Sequence, residues 1–142
     1  MKFIDTTCAK QPNGHYSQAT LISNTLYISA QLPDAAPCME RKNIEKEVER
    51  QTRSVLNNIL GITQAAGGTL HSIALVRLYS TDVEYWSTID QTFADFMGEH
   101  KPARAVICVA EIKQDYLVMA EAIAEISMST MEESCHGYHL CG

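Results

Sequence analysis

One run of the sequence alternates strictly between larger and smaller side chains, YLVMAEAIAEI at residues 116–126. Because successive side chains of a β-strand point to opposite faces of a sheet, Leu117, Met119 and Glu121 share one face. The other face carries little side-chain bulk, from Val118, Ala120, Ala122 and Ala124. The run therefore predicts a strand whose alanine face lets another element, such as a helix, approach the sheet closely.

A β-hairpin is predicted near the N-terminus. Residues 16–22 and 25–32 are both rich in β-forming side chains, and only Ser23-Asn24 separates them. A two-residue connection ending in Asn suits a tight hairpin, because Asn tolerates a positive φ. In the corresponding register, the open end of the hairpin gathers Ser29 and Ala30, with Tyr16 opposite Gln31.

The remaining elements indicate an α+β fold. Apolar residues at helical spacing predict a helix from Ile44 to about Ala66, and residues 73–79 read as a strand. The sequence from Thr81 to Glu84 has the form of a capping box before a second helix that stops at Gly98, and Val106–Ala110 is a short strand. The order β-β-α-β-α-β-β, with a further N-terminal strand possible, favours a mixed β-sheet with two helices on one face. The open face then needs a cover, and we expect a second subunit to supply it.

Composition narrows the class of protein. A chain of 142 residues is large enough for one domain, expected over residues 1–126 with a tail at 127–142. The net charge is −6 and no block of Lys and Arg occurs, which argues against a nucleic-acid partner. No apolar stretch approaches the roughly 18 residues that span a bilayer, so no membrane association is expected.

The cysteines and the start of the chain indicate a cytoplasmic protein. Asp5 follows the initial Met too closely for a signal peptide, and the five cysteines are odd in number and irregularly spaced. Such cysteines are expected to be reduced thiols, with Cys108 packed in a buried strand. The tail contains CHGYHLC at residues 135–141, but this spacing matches no common zinc module. A flexible or partner-dependent tail is therefore expected, and no metal site.

Arg104 is the first candidate for a functional residue. It stands at the start of an otherwise uncharged strand, after His100-Lys101-Pro102-Ala103. A guanidinium keeps its charge at any accessible pH and is costly to bury without an anion, and a carboxylate can accept two parallel hydrogen bonds from it. The anion is either an acidic side chain of the chain itself, which this segment alone favours, or a ligand.

Five segments together resemble the RidA/YjgF/UK114 family of reactive-intermediate imine deaminases. They are GHYSQA at 14–19, ISAQLP at 28–33, ERQTRSVLNNI at 49–59, KPAR at 101–104 and EAIA at 121–124. The resemblance runs in unbroken order from about residue 10 to residue 126. It implies a chorismate-mutase-like α+β fold and a homotrimer with a central barrel and ligand clefts between subunits.

The resemblance also implies an activity and a site. The activity is hydrolysis of small 2-imino acids and their enamine tautomers to 2-keto acids and ammonia, without metal or organic cofactor. Arg104 would grip the substrate carboxylate, while Tyr16 and Ser29 match a tyrosine and a serine of the family's cleft. The Tyr16 hydroxyl could orient the attacking water or donate a hydrogen bond to the ligand. Ala30 and Val106 fall where the family holds the ligand with backbone groups.

Three positions depart from the family pattern. His15 replaces a usual proline, and Ala30 replaces a usual glycine. The Cβ of Ala30 would narrow the approach of a ligand to the backbone N–H of this residue. Met119 stands where the deaminases keep a glutamate that positions water, and a thioether cannot act as a base. Glu121 would face about Val106 if residues 111–116 tightly connect antiparallel strands. It would then either position the water or serve as the salt-bridge partner of Arg104.

Two classes of function follow from these observations. The first is an imine/enamine deaminase, reduced or altered in activity by Met119. The second is a catalytically weak trimer that binds small carboxylate metabolites as a sensor or regulator. Ribonuclease activity, attributed to some members of the family, is disfavoured by the acidic charge.

Overall fold

The structure is a computed structural model, and it describes residues 1–37 and 43–127. Its strands are β1 Lys2–Ile4, β2 Ala19–Ile22, β3 Thr25–Gln31, β4 Ile73–Ser80, β5 Ala103–Cys108 and β6 Val118–Glu125. Its α-helices are α1 Ile44–Ala65 and α2 Trp86–Met97. Short 3₁₀ turns occur at Leu70–Ser72, Val83–Tyr85 and Lys113–Asp115. The predicted element order, including the additional N-terminal strand, is confirmed.

The described strands form one mixed sheet. Its order is β1-β2-β3-β6-β4-β5, with β4 and β5 parallel and the other neighbours antiparallel. The alternating run thus supplies β6 in the middle of the sheet. The helix α2 connects the parallel pair β4 and β5, as such a crossover requires. The predicted α+β fold with a mixed sheet and two helices is confirmed.

The alanine face of β6 lies against the helices. Ala120, Ala122 and Ala124 are buried, and α1 packs against both β6 and β3 as well as α2. The helix brings large apolar side chains to this contact, including Val55, Leu56, Ile59 and Ile62, all fully buried. The small residues of the strand therefore complement the large residues of the helix, as close packing of a core requires. Met119 and Glu121 point to the open face.

The hairpin has the predicted register, with Ala19 opposite Ile28 and Ile22 opposite Thr25. The positive φ, however, falls on Ser23 at 52° and not on its neighbour Asn24. The strand β2 begins at Ala19, later than expected, so the pairing of Tyr16 with Gln31 is not part of the ladder.

The position of β5 corrects one expectation. It was expected to pair with the strand at residues 116–126, but β4 lies between β5 and β6. The connection from Val109 to Leu117 includes a turn with positive φ at Gln114 and Asp115, and it carries the chain across the end of β4. Period-two alternation shows which face a side chain takes but not which strand lies beside it.

Two cysteines also differ from expectation. Cys108 is exposed at the end of the edge strand β5, whereas a buried position was expected. Cys8 is disulfide-bonded, whereas a reduced thiol was expected. The predicted tail from residue 128 onward, with its Cys and His residues, also lies outside them.

No helix in residues 1–37 and 43–127 has the length and apolar character needed to cross a membrane.

The contact between β6 and α1 is tested by replacing Ala122 with Leu. We expect the free energy of unfolding in urea to fall by about 1–3 kcal/mol, because the larger side chain has no room beneath α1. Glu125→Leu, at the exposed end of the same strand, is the control and should change stability by no more than about 0.5 kcal/mol. An Ala122→Leu variant as stable as the wild type would contradict the close approach.

Candidate active site

A cleft of about 620 Å³ opens where β3, β4 and β6 meet the loop that follows β5. Four of the predicted site residues line it: Tyr16, Ser29, Ala30 and Met119. The other lining residues are Leu32, Tyr79, Val109, Glu111, Ile112 and Lys113. The structure therefore brings together the predicted residues of the hairpin and of β6. It does not bring Arg104, Val106 or Glu121 to this cleft.

The backbone leading into the hairpin is held by Gln18, which is almost completely buried. Its Oε1 accepts a hydrogen bond from the N–H of Thr6 at 2.7 Å, and its Nε2 donates to the carbonyls of Thr6 and Lys10, both at 3.0 Å. A buried amide with all these partners fixes the loop against the sheet. The position of the neighbouring Tyr16 and Ser17 depends on this anchor.

Tyr16 and Ser29 both have hydrogen-bond partners within the chain. The Tyr16 hydroxyl donates to Asn13 Oδ1 at 3.0 Å, although the residue is 46% exposed. The Ser29 hydroxyl donates to the carbonyl of Ser17 at 2.7 Å. Each hydroxyl already donates its single proton to a group of the chain. Unless these hydrogen bonds break, each hydroxyl can therefore only accept a hydrogen bond from a ligand.

Ser29 and Ala30 lie at an irregularity of the sheet. The pairing of β3 with β6 shifts between Ile28 and Gln31, so these two residues have no partner in the regular ladder of that pair. Irregularities of this kind redirect side chains and free backbone groups, and they are common beside active sites. The use of backbone groups near Ala30 to hold a ligand stays a prediction.

Arg104 lies on the other face of the sheet. It is beside Val76 in the register of β5 with β4, and Val76 is part of the core beneath the helices. Its Nη1 donates to Asp90 Oδ1 of α2 at 2.5 Å, and its guanidinium lies 5.3 Å from the centre of the Phe93 ring. The guanidinium is still partly accessible at 24% exposure, so a ligand at the sheet edge can reach it.

The backbone of Val106 faces the free edge of β5. The N–H of Val109 bonds to the carbonyl of Ser80 on β4 at 2.8 Å. Because successive residues of a strand direct their backbone groups to opposite edges, Val106, like Arg104, directs its N–H and C=O away from β4. No described strand lies beyond β5, so these groups are open to a ligand or to another subunit.

Glu121 does not occupy the expected position. It was expected to face about Val106, but it pairs in register with Arg77 of β4, which separates it from β5. It was also a candidate for the salt-bridge partner of Arg104, and that partner is Asp90. The carboxylate of Glu121 instead accepts a short hydrogen bond from the hydroxyl of Tyr79.

Tyr79 is a residue of the cleft that the sequence interpretation missed. The hydrogen bond to Glu121 raises its pKa above the ordinary value, and burial and the negative charge of Glu121 act in the same direction, whereas Arg77 opposes them. A tyrosine with a raised pKa stays a neutral phenol at physiological pH. Its placement could be recognised only once β4 was known to neighbour β6, because Tyr79 pairs directly with Met119.

Residues 6–126 match the model of the family described as Endoribonuclease L-PSP. The chain belongs to this RidA/YjgF family. A RutC family protein of Pyrococcus horikoshii is 36% identical over 121 residues, which cover 85% of this chain and 94% of the relative. TdcF of Escherichia coli, which is named as a reactive intermediate deaminase, is 30% identical over 126 residues, covering 87% of this chain and 95% of TdcF.

Solved structures of the RidA/YjgF family share the fold. The crystal structure of E. coli TdcF with bound serine has a TM-score of 0.78 and 30% identity, covering 89% of this chain and all of that one. RidA from an Antarctic Psychrobacter has a TM-score of 0.74 and 32% identity, again over 89% of this chain. The resemblance identified from the sequence segments is thereby confirmed.

The ion pair of Arg104 is expected to contribute little to stability. Asp90 is 58% exposed, and exposed ion pairs contribute up to about 1 kcal/mol, so Asp90→Asn should change the free energy of unfolding by no more than this. Asp95→Asn, on the exposed side of the same helix, is the matched control in urea titrations. A loss of more than about 2 kcal/mol specific to Asp90 would show that Arg104 is a structural residue.

Proposed function

We propose that this protein is an imine deaminase that hydrolyses small 2-imino acids and their enamine tautomers to 2-keto acids and ammonia. Membership of the RidA/YjgF family supports this, as does similarity to a relative named as a reactive intermediate deaminase. The observation that carries the proposal is a partly accessible guanidinium at a sheet edge, next to outward-facing backbone groups. The proposed setting is the cytoplasm, where pyridoxal-phosphate dehydratases release such imines.

The residues match the requirements of the reaction. A 2-imino acid has to be held by its carboxylate, kept protonated on nitrogen, and exposed to water at its C=N carbon. Arg104 can grip the carboxylate with two parallel hydrogen bonds, which orients the reacting carbon. The outward-facing carbonyl of Val106 can accept a hydrogen bond from the iminium N–H, which favours the more electrophilic, protonated form. No metal or organic cofactor takes part in this scheme.

The proposed active site is shared between subunits of a homotrimer. Within one chain, Arg104 points to the helix side of the sheet, whereas Ser29, Ala30 and Met119 line a cleft on the open side. One subunit therefore holds only half of the groups that the reaction needs. A neighbouring subunit whose β5 edge meets this cleft would complete it, and the same association would cover the open face of the sheet.

The cleft favours imines with an apolar side chain. Leu32, Val109, Ile112 and Met119 contribute apolar side chains to its lining. A carboxylate at position 119 would be poorly compatible with an apolar group beside it, whereas a thioether packs against one readily. The proposed substrates are therefore small 2-imino acids with an aliphatic side chain, and the departure at Met119 alters the activity rather than the ligand class.

Met119 also supports a second candidate function, that of a sensor. A trimer that binds 2-keto acids or related carboxylates as a sensor needs Arg104 but no group to direct water. Met119 supports this alternative because it removes the carboxylate that the resemblance assigns to water. The endoribonuclease in the description of the family receives no such support here, since the net charge is −6.

The activity is tested with 2-aminoacrylate and 2-iminobutanoate generated in situ by a serine/threonine dehydratase. We expect faster loss of the imine with this protein, and a kcat/KM about 10- to 100-fold lower in Arg104→Ala, because hydrogen bonds to the substrate carboxylate are lost. Arg104→Lys should recover only part of this, since an ammonium lacks the planar fork.

Arg53→Ala removes an exposed arginine of α1 and is the matched control, expected to behave as wild type. No acceleration above the spontaneous rate for either imine would reject the deaminase. Binding of 2-ketobutyrate that is lost in Arg104→Ala would then support the sensor. A labelled RNA, incubated under the same conditions, should remain intact.

The shared site is tested by mixing two inactive variants. Arg104→Ala removes the anchor, and Met119→Trp fills the cleft. The expectation is that each site takes its cleft from one subunit and its arginine from the next. In trimers reassembled from an equal mixture, an intact cleft then meets an intact Arg104 in about one site of four, so about a quarter of the wild-type activity returns. Sedimentation of each variant controls for trimer assembly. An intact variant trimer that never recovers activity on mixing would place the whole site within one chain.

A further inference from the structure

The cleft contains a tyrosine beside the position that lacks its carboxylate. Tyr79 and Met119 are direct cross-strand neighbours on the open face of the sheet. Such pairs have their Cβ atoms about 4.5–5.5 Å apart, so the phenol lies beside the space that an acidic side chain at residue 119 would occupy. Glu121 lies two residues further along β6 and does not line the cleft, but it contacts the Tyr79 hydroxyl.

The hydrogen bond between these side chains has a defined polarity. A phenol has one proton, and Tyr79 donates it to the carboxylate of Glu121. The phenol oxygen of Tyr79, a lining residue of the cleft, can therefore act toward a further group only as a hydrogen-bond acceptor. A hydrogen bond to a charged acceptor also polarises the phenol and makes its oxygen a stronger acceptor.

The phenol keeps this role over the whole physiological range of pH. Its pKa is raised by the bond to Glu121 and by burial, so it remains protonated and does not become a phenolate base. Tyr79 thus offers a neutral oxygen at a fixed position, and the negative charge stays on the carboxylate of Glu121.

We propose that Tyr79, held by Glu121, positions the attacking water in place of the carboxylate that Met119 has replaced. Tyr79 accepts a hydrogen bond from the water and directs the lone pair of the water oxygen to the imine carbon. Glu121 has no contact with the water and is a positioning residue that acts through Tyr79. This inference rests on the proposed deaminase function and assigns a group to its water.

The step balances without an additional reactant. The water oxygen forms a bond to the carbon of the protonated imine, and the electron pair of the C=N π bond moves to nitrogen. A proton then passes from the attached oxygen to that nitrogen. The C–N bond breaks as the carbonyl forms, and the remaining hydroxyl proton passes to the departing ammonia, so the products are the 2-keto acid and ammonium. Tyr79 loses no proton in the cycle, in agreement with its raised pKa.

The proposal is tested first with Tyr79→Phe, which removes the acceptor oxygen and keeps the ring. We expect kcat for 2-iminobutanoate to fall about tenfold or more with KM changed less than about threefold, because the carboxylate anchor is untouched. Tyr27→Phe, at an exposed tyrosine outside the cleft, is the matched control. Met119→Glu introduced into Tyr79→Phe should restore turnover by returning a carboxylate to residue 119, beside the lost phenol oxygen.

Glu121→Gln tests the positioning role with a readout that does not depend on turnover. In the wild type, the Tyr79 phenol should titrate above a free tyrosine, as measured by ¹³C NMR of labelled tyrosine with Tyr79→Phe for assignment. In Glu121→Gln its pKa should fall toward the ordinary value, together with a lower kcat.

The outcomes separate the two proposals. Tyr79→Phe with a kcat within about twofold of an active wild type would overturn the role of Tyr79 and leave the deaminase intact. An unchanged Tyr79 titration in Glu121→Gln would overturn the role of Glu121. A wild-type protein without turnover overturns both proposals, and unimpaired binding of 2-ketobutyrate would then identify the sensor.

Discussion

The close packing of α1 against the alanine face of β6 is the constraint on which the rest of the structure depends. Small residues at Ala120, Ala122 and Ala124 let the helix sit directly on the central strand. A strand exposes its side chains alternately, so the residues between these alanines are forced to the open face. Met119 and Glu121 therefore lie on the face of the sheet opposite the two described helices.

This division of the sheet also separates the chemical groups. The guanidinium of Arg104 belongs to the helix side at the edge strand β5, where Asp90 and Phe93 hold it. The cleft with Ser29 and Met119 belongs to the open side. Under the proposed function, the carboxylate anchor and the water-directing group act on one substrate when the β5 edge of a second subunit meets the cleft. The alternation of β6 would in this way link the assembly to the chemistry.

The sequence predicted the elements much better than their neighbours. The alternation of large and small side chains identified β6 and the face of the sheet to which each of its residues points. The two-residue turn predicted the hairpin register, because so short a connection allows few other registers. The order of strands was not accessible in this way, because β4 lies between β5 and β6 through long-range packing alone. For this reason Glu121 was paired with the wrong strand and the partnership of Arg104 with Asp90 was not foreseen. Tyr79 was missed because a tyrosine in a strand is unremarkable until its neighbour is known.

Under the proposed function, methionine at position 119 in place of the family's glutamate has a physical logic. The proposed substrate is an anion, and a carboxylate at residue 119 would oppose the binding that is proposed for Arg104. A neutral phenol accepts a hydrogen bond from water without that repulsion, at the cost of a weaker acceptor. Glu121 offsets this weakness, because its charge strengthens the oxygen of Tyr79 while lying outside the cleft. The arrangement keeps a directed acceptor for water and gives the substrate side chain an apolar surface at Met119.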